Sequence, residues 1–205
     1  MKYRIHRLLA EQIRLNCEDR LPVRLQPRWF SWGNVYPDCT HRRLQLHEAA
    51  SSGPLLGRMI ARRCRWGIRE DRILSRFASL RLGIIAHYVC DFMCFVHTSH
   101  FTGTLMEHRG YEQAQGALEE SRELTRSLHS FHGARDGEEL YALLRLALEE
   151  RGPDTFSPEE DLDYAASAAA ELIVTMLRIC MEREEAASWW NHLPLMRRRY
   201  LARVS

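Results

Sequence analysis

The hydrophobic positions of this chain recur mostly at intervals of three and four residues, which is the period of an amphipathic α-helix. In the first segment, Ile5, Leu8, Leu9, Ile13 and Leu15 fall near one stripe of such a helix. The sequence has no run of alternating β-branched residues and no Asn-Gly turn, so strands are not expected. The pattern predicts helices over residues 3–19, 54–66, 69–97, 104–130, 137–151, 158–183 and 185–202.

The segment from about residue 20 to residue 53 interrupts this periodicity and is predicted to be rich in loops. Its helix-breaking residues are Pro22, Pro27, Gly33, Pro37 and Gly53. A long irregular stretch inside a compact domain usually has a function. The segment also carries three aromatic residues, which either line a binding cleft or anchor the loop in the core. They are Trp29, Phe30 and Trp32.

Length and composition fit one ordinary globular domain. The chain has 205 residues, of which 45% are hydrophobic and 27% are charged. We therefore predict a single all-α domain of six to eight helices over residues 1–205. The 29 basic and 27 acidic residues leave a net charge of +2, so no stable nucleic-acid partner is expected.

The sequence also indicates a compartment. Arg4, His6 and Arg7 interrupt the N-terminal segment, and His87 and Asp91 interrupt the most apolar one, so neither a signal peptide nor a transmembrane segment is expected. No pair of the six cysteines forms a CxxC motif. We expect buried, reduced thiols and a cytoplasmic protein.

A pair of polar residues stands inside this apolar run. His87 and Asp91 are four residues apart and therefore lie on one face of a helix, close enough to share a cation. A carboxylate in apolar surroundings is costly unless it is paired or bound to a metal. On a continuous helix, His97 would lie about 80° around the axis from His87. His97 is therefore expected to bind a neighbouring ion, and Asp91 to bridge the two ions.

A second pair with the same spacing follows a break at Gly103. His108 and Glu112 are again four residues apart, and a helix hairpin would bring them to His97. A third cluster, Asp38 and His47, lies in the loop-rich segment and consists of ligand types that zinc accepts.

Some alternatives stay open at this point. His41 competes with His47, and His100 competes with His97, as the ligand at each place. One His–carboxylate pair alone is typical of a hydrogen bond or a solvated helix face. Two such pairs linked by His97 favour a cluster of divalent ions, for which iron or manganese is an alternative to zinc.

These residues carry a resemblance to a known family. The stretch from Arg81 to His97, followed by His108 and Glu112, resembles the bacterial zinc-dependent phospholipase C family, whose superfamily includes fungal single-strand nucleases. The motif is H-x3-D-x5-H, then x10-H-x3-E. The segment from Trp32 to Cys39 with His47-Glu48, and His6 in the first helix, are similar to the N-terminal part of the family. The resemblance covers about residues 1–130.

The resemblance implies an all-α fold with two to three zinc ions. It implies one zinc at Asp38, His47, His87 and Asp91, a second at His97, His108 and Glu112, and a third at His6 with Asp91 as the bridge. In the family, the amine and carbonyl of an N-terminal Trp also hold the third ion. This sequence begins Met-Lys-Tyr, so Met1 or water is expected in that role.

The implied activity is zinc-dependent phosphodiester hydrolysis, in which a metal-activated water attacks the phosphorus of a phospholipid. Asp38 is expected to be both a ligand and the base that orients this water. A transient contact with a membrane surface is also expected. The alternatives are a single-strand nuclease or nucleotidase with the same metal cluster, and an inactive metal-binding helical domain that acts as a regulator.

Overall fold

A computed structural model of the protein describes residues 1–40, 48–69, 72–118, 131–151 and 156–192. Within these ranges the chain forms seven α-helices and one short pair of strands, which confirms the predicted all-α class. The elements are α1 Tyr3–Arg20, β1 Val23–Arg24, α2 Pro27–Cys39, α3 Ala49–Cys64, β2 Arg72–Ile73, α4 Arg76–Phe92, α5 Leu105–Ala117, α6 Gly137–Glu149 and α7 Pro158–His192. The strands are parallel, with Val23 opposite Arg72 and Arg24 opposite Ile73.

The core is built around α4 and the first two thirds of α7. Helix α4 packs against α2 on one side and α7 on the other, while α1 contacts α2, α4 and α7. Small residues such as Ala165, Ala168 and Ala169 are fully buried on α7, which lets neighbouring helices approach closely. This arrangement places the second half of α4 in the interior.

Helices α2 and α4 touch through their backbones. A Cβ atom added at Gly33 would lie 2.1 Å from the carbonyl oxygen of Leu80, and one at Gly83 would lie 2.2 Å from that of Phe30. Only glycine fits at either position, because real Cβ contacts are much longer. The close approach sets the C-terminal half of α2 beside the half of α4 that carries His87.

The predicted loop-rich segment is largely helical, so that part of the sequence prediction was wrong. Helix α2 begins at Pro27 and ends at Cys39, and α3 begins at Ala49, five residues before the predicted start. Proline at the first helical position removes no intrahelical hydrogen bond, and Pro37 lies in the last turn of α2. The prolines therefore mark the ends of a helix here.

The predicted helix over residues 69–97 is shorter than expected. The Ser75 side chain caps α4 by accepting a hydrogen bond from the backbone N–H of Ala78, and Arg72–Ile73 pairs with β1 instead. After Phe92 the chain turns, and Phe95–His97 forms a separate 3₁₀ turn. The angle of 80° estimated for His97 on a continuous helix was therefore wrong.

The C-terminal helices also differ from the prediction. Helix α7 is continuous through residue 192, where a break between 183 and 185 was predicted. Helix α5 ends at Ala117, and residues 119–130 and 193–202 of the predicted helices lie outside the described residues. All six cysteines are free, and five are buried as expected, whereas Cys39 is exposed at the end of α2.

One described helix is long and apolar enough to cross a membrane, which the sequence analysis did not anticipate. It is the stretch Pro158–Ser188, and 83% of its apolar window is buried inside the protein. Length and composition alone are weak evidence for a membrane span, because the buried core helix of a soluble protein has the same properties.

Candidate metal centre

The structure gathers six of the eight predicted ligands into two groups. The first group is His6, His87 and Asp91, and all three side chains are buried. The second group is His97, His108 and Glu112, and its members are partly exposed. Within each group, one candidate ligand atom from every residue lies within 4.8 Å of the others.

The first group joins α1 to α4. The Nε2 atoms of His6 and His87 each lie 3.2 Å from Asp91, the former from Oδ1 and the latter from Oδ2. The two imidazole rings stack with their centroids 4.1 Å apart. Asp38, at the end of α2, completes the arrangement, since its oxygens lie 3.8 Å from His87 Nε2 and 4.0 Å from His6 Nε2.

A hydrogen bond of its second ring nitrogen fixes the orientation of the His87 side chain. Its Nδ1 lies 2.8 Å from the backbone carbonyl oxygen of Asn34, which can only accept a hydrogen bond. Nδ1 therefore donates a proton to this carbonyl, and Nε2, which lies 3.2 Å from Asp91, is the ring atom that would bind a metal. A second hydrogen bond of this kind holds most metal-binding histidines in place.

The second group is built from the 3₁₀ turn and the first two turns of α5. Nε2 of His108 lies 3.3 Å from Oε1 of Glu112, as the spacing of four residues predicts. Nε2 of His97 lies 3.9 Å from the same oxygen, and the rings of His97 and His108 meet edge to face. The three side chains converge as expected, but His97 lies on a 3₁₀ turn and not on one helix of a hairpin.

The amino group of Met1 lies between the two groups. Its nitrogen is 2.8 Å from Oδ1 of Asp91, 3.1 Å from Oε1 of Glu112 and 3.0 Å from Nε2 of His97. Burial alone would lower the pKa of this amine, but Asp91 and Glu112 outweigh it and raise the pKa to about 12. Burial would likewise raise the pKa of Asp91, but the ammonium and the surrounding histidines hold it well below its usual range.

The distances within each group fit a divalent metal. Zinc binds nitrogen and oxygen at about 2.1 Å, so two ligands of one tetrahedral ion are about 3.4 Å apart. The separations of 3.2 Å within the first group and 3.3 Å in the second are close to this value. Within the described residues, Nδ1 of the buried His6 has no hydrogen-bond partner, which is rare for a buried polar atom, and Nε2 faces Asp91 at 3.2 Å.

The protonation of His6 also suits a metal ligand. Burial and the neighbouring His87 lower the pKa of the His6 imidazole to about 4, against the opposing effect of Asp91. At neutral pH the ring is therefore uncharged, and a nitrogen lone pair is free to bind a cation.

The other histidines considered as ligands differ in where they lie. His41 and His47 lie outside the described residues, so the choice between them stays a prediction. His100 is exposed, with its ring against Phe156, and belongs to neither group. His6, which was expected at a separate third ion, stacks on His87 and shares Asp91 with it.

Sequence analysis missed the residues that support the second group. Asp161 on α7 is fully buried, and it accepts hydrogen bonds from the hydroxyl of Tyr111 at 2.8 Å and the backbone N–H of Phe95 at 2.7 Å. Arg151 pairs with Asp161 at 2.5 Å and donates to the carbonyl of Met93. Asp161 thus ties the turn before His97 to α5. In the sequence it is simply one of several acids in the first turn of a helix.

We expect Asp161→Asn to weaken metal binding at the second group by about tenfold to a hundredfold, because these supporting contacts orient the ligands. The unfolding free energy should also fall by about 3 kcal/mol, since Arg151 loses its buried partner. Competition with a chelator and urea unfolding measure the two effects. Glu138→Gln, the same charge change at an exposed residue of α6, is the control. Unchanged metal affinity in Asp161→Asn would contradict the supporting role.

The low pKa of His6 predicts that the chelator-treated protein loses stability in acid. His6 faces His87 and Asp91 on α4, Asp38 on α2 and the Met1 amine. Its pKa of about 4 when folded lies below the value of 6.5 expected when unfolded, so the unfolded chain binds the proton more readily. The stabilisation is complete above pH 6.5 and is lost as the pH falls through 4.

Urea unfolding should show this loss as about 3 kcal/mol between pH 6.5 and pH 4. His6→Gln has no imidazole to titrate, and its stability should vary less over the same range. Equal pH dependence of the two proteins would show that the folded-state pKa of His6 is not depressed.

The helical core brings together two groups of imidazole and carboxylate side chains. Such groups are typical of proteins that bind divalent metals. Within this class, the chain belongs to the zinc-dependent phospholipase C family, because the model of that family matches residues 5–151. The matched region contains every predicted ligand from His6 to Glu112, and it ends at Arg151, before Asp161 and α7. No curated protein and no solved structure matches the chain.

Proposed function

We propose that the protein is a zinc-dependent phosphodiester hydrolase that cleaves phospholipids between glycerol and phosphate. The observation that carries this proposal is the pair of ligand groups that meet at Asp91, in a chain of the zinc-dependent phospholipase C family. Metal sites that hydrolyse phosphodiesters commonly place two or more ions within a few ångströms of each other.

The ligands divide between the two groups. We assign His6, His87, Asp91 and Asp38, with His47, to one part of the cluster, and His97, His108 and Glu112 to the other. The Met1 amine is within reach of both. When bound, zinc supplies Lewis acidity, which lowers the pKa of water and neutralises the charge of a phosphate.

The protein side chains have distinct tasks in this proposal. Asp38 is the more exposed of the two aspartate ligands, with 27% of its side chain exposed, while Asp91 is fully buried. Asp38 is therefore placed to accept a proton from the attacking water and to orient it toward phosphorus. Asp91 holds the two groups together, and the Asn34 carbonyl keeps His87 in the required tautomer.

The test combines a zinc count with an assay. We expect two or three zinc ions per chain by mass spectrometry, and hydrolysis of bis-p-nitrophenyl phosphate and phosphatidylcholine that a chelator abolishes and added zinc restores. Zinc without hydrolysis would favour the inactive metal-binding domain. Faster hydrolysis of single-stranded DNA than of lipid would favour the nuclease. A protein that binds no zinc would contradict all three functions.

We also propose that the protein acts in the cytoplasm, because all six cysteines are free thiols and thiols persist in a reducing compartment. Cell fractionation with thiol titration of the recovered protein tests this. Recovery with paired cysteines from an oxidising compartment would contradict it.

A further inference from the structure

A groove with a volume of about 590 Å³ runs between α1 and α2. Each helix contributes side chains at intervals of three or four residues, so that two stripes face each other across the groove. The stripe on α1 is Tyr3, Arg7 and Glu11, and the stripe on α2 includes Arg28, Trp32, Val35 and Cys39.

Some residues that line the groove are neighbours of candidate metal ligands in the chain. Arg7 directly follows His6 on α1, and Val35 and Cys39 lie on either side of Asp38 in the last turn of α2. Asp38 is the partly exposed ligand of the first group. The part of the groove lined by Cys39 is therefore the part next to Asp38 in the chain.

Arg7 and Arg28 are the charged residues of the groove that have no ion pair with an acidic side chain within the described residues. Both arginines are exposed. Glu11 is already paired, because its two carboxylate oxygens accept hydrogen bonds from Arg14. Two guanidinium groups thus remain to attract a negative ligand.

The two arginines lie at different distances along the chain from the candidate metal ligands. Arg7 directly follows the candidate ligand His6 in α1, whereas Arg28 precedes Asp38 by ten residues on α2, which is about 15 Å along the helix axis. The long side chain of Arg28 can cover several ångströms of this distance.

We propose that this groove holds the headgroup of the substrate and selects headgroups that carry a second negative group, a phosphate or a carboxylate. This inference rests on the proposed function, and it names the substrate class at that site. A guanidinium binds such oxyanions through paired hydrogen bonds. A quaternary ammonium headgroup is disfavoured, because the two arginines would repel it and the groove's carboxylate is already paired.

Calorimetric binding of free headgroups tests the groove without turnover. We expect the protein to bind inositol 1,4-bisphosphate at least about tenfold more tightly than phosphocholine, and the double variant Arg7→Gln/Arg28→Gln to reduce this ratio about tenfold. Arg58→Gln, the same charge change at an exposed residue of α3, should leave the ratio as it is. An equal ratio in all three proteins would overturn the inference.

Hydrolysis in neutral detergent micelles tests the same preference on lipids. Phosphatidylinositol 4-phosphate should be cleaved faster than phosphatidylcholine, and the double variant should lose most of the difference. If the wild-type protein hydrolyses no phosphodiester, the proposed function fails, whereas the binding experiment still reports on the groove. If hydrolysis occurs with no dependence on the arginines, only the headgroup inference fails.

The negative charge could also come from the surrounding lipids rather than from the headgroup itself. An arginine dependence that appears on anionic vesicles and is absent with free inositol 1,4-bisphosphate would show attraction to the lipid surface and would overturn the headgroup site. Urea unfolding of the double variant and of Arg28→Gln alone verifies that each protein is folded.

Discussion

Asp91→Asn should lower bound zinc and phosphodiester hydrolysis together, each by at least about a hundredfold. Asp91 uses one oxygen toward His6 and the Met1 amine and the other toward His87, so it contacts both other members of the first group. Asparagine keeps the shape but removes the negative charge and replaces one oxygen by a donor. Zinc content and hydrolysis of bis-p-nitrophenyl phosphate measure the two losses.

The same substitution removes the main buried partner of the Met1 ammonium, which lies 2.8 Å from Asp91. Breaking a buried ion pair typically costs about 3–5 kcal/mol, so the variant must be checked for folding by urea unfolding. Asp91→Glu keeps the charge and should retain part of the zinc. Asp19→Asn, an equal charge change at an exposed position of α1, is the control. Full zinc occupancy in folded Asp91→Asn would contradict the bridging role.

Gly33→Ala and Gly83→Ala should each lower the unfolding free energy by about 3 kcal/mol or more. The added methyl would meet a backbone carbonyl at 2.1 Å in the first case and 2.2 Å in the second, and a backbone atom cannot turn aside as a side chain can. Helices α2 and α4 would have to separate. Urea unfolding measures the loss of stability.

This separation should also weaken metal binding, because α2 carries Asp38 and the Asn34 carbonyl while α4 carries His87. Gly110→Ala is the matched control, since nothing lies within 4 Å of the added atom. Alanine there should stabilise α5 by up to about 1 kcal/mol. If Gly33→Ala were as stable as this control, the close contact of the two helices would be wrong.

The errors of the sequence prediction have a common physical origin. Proline and glycine in residues 20–53 were interpreted as loop signals, although Pro27 starts a helix and Gly33 permits a contact between helices. The role of Gly33 depends on helix α4, whose residue Gly83 lies fifty positions further along the chain. The end of α4 at Phe92 was likewise hidden, because the residues that follow it are also apolar.

The sequence by itself determined the local pairs. His87 with Asp91, and His108 with Glu112, are neighbours on any α-helix, because a spacing of four residues returns to the same face. The helical period of the hydrophobic residues likewise determined the fold class. These features depend only on the geometry of one helix, so no other part of the chain is needed to infer them.

Only the tertiary structure decided that the two pairs meet. Their convergence needs the turn before His97, which Asp161 holds from α7, and the position of His6 and Met1 at the start of α1. These contacts join residues as far apart in the chain as Met1 and Glu112, and they result from the packing of whole helices. Burying Asp91 without a partner would be costly, so this carboxylate needs partners. The packing of the helices determines which residues these partners are.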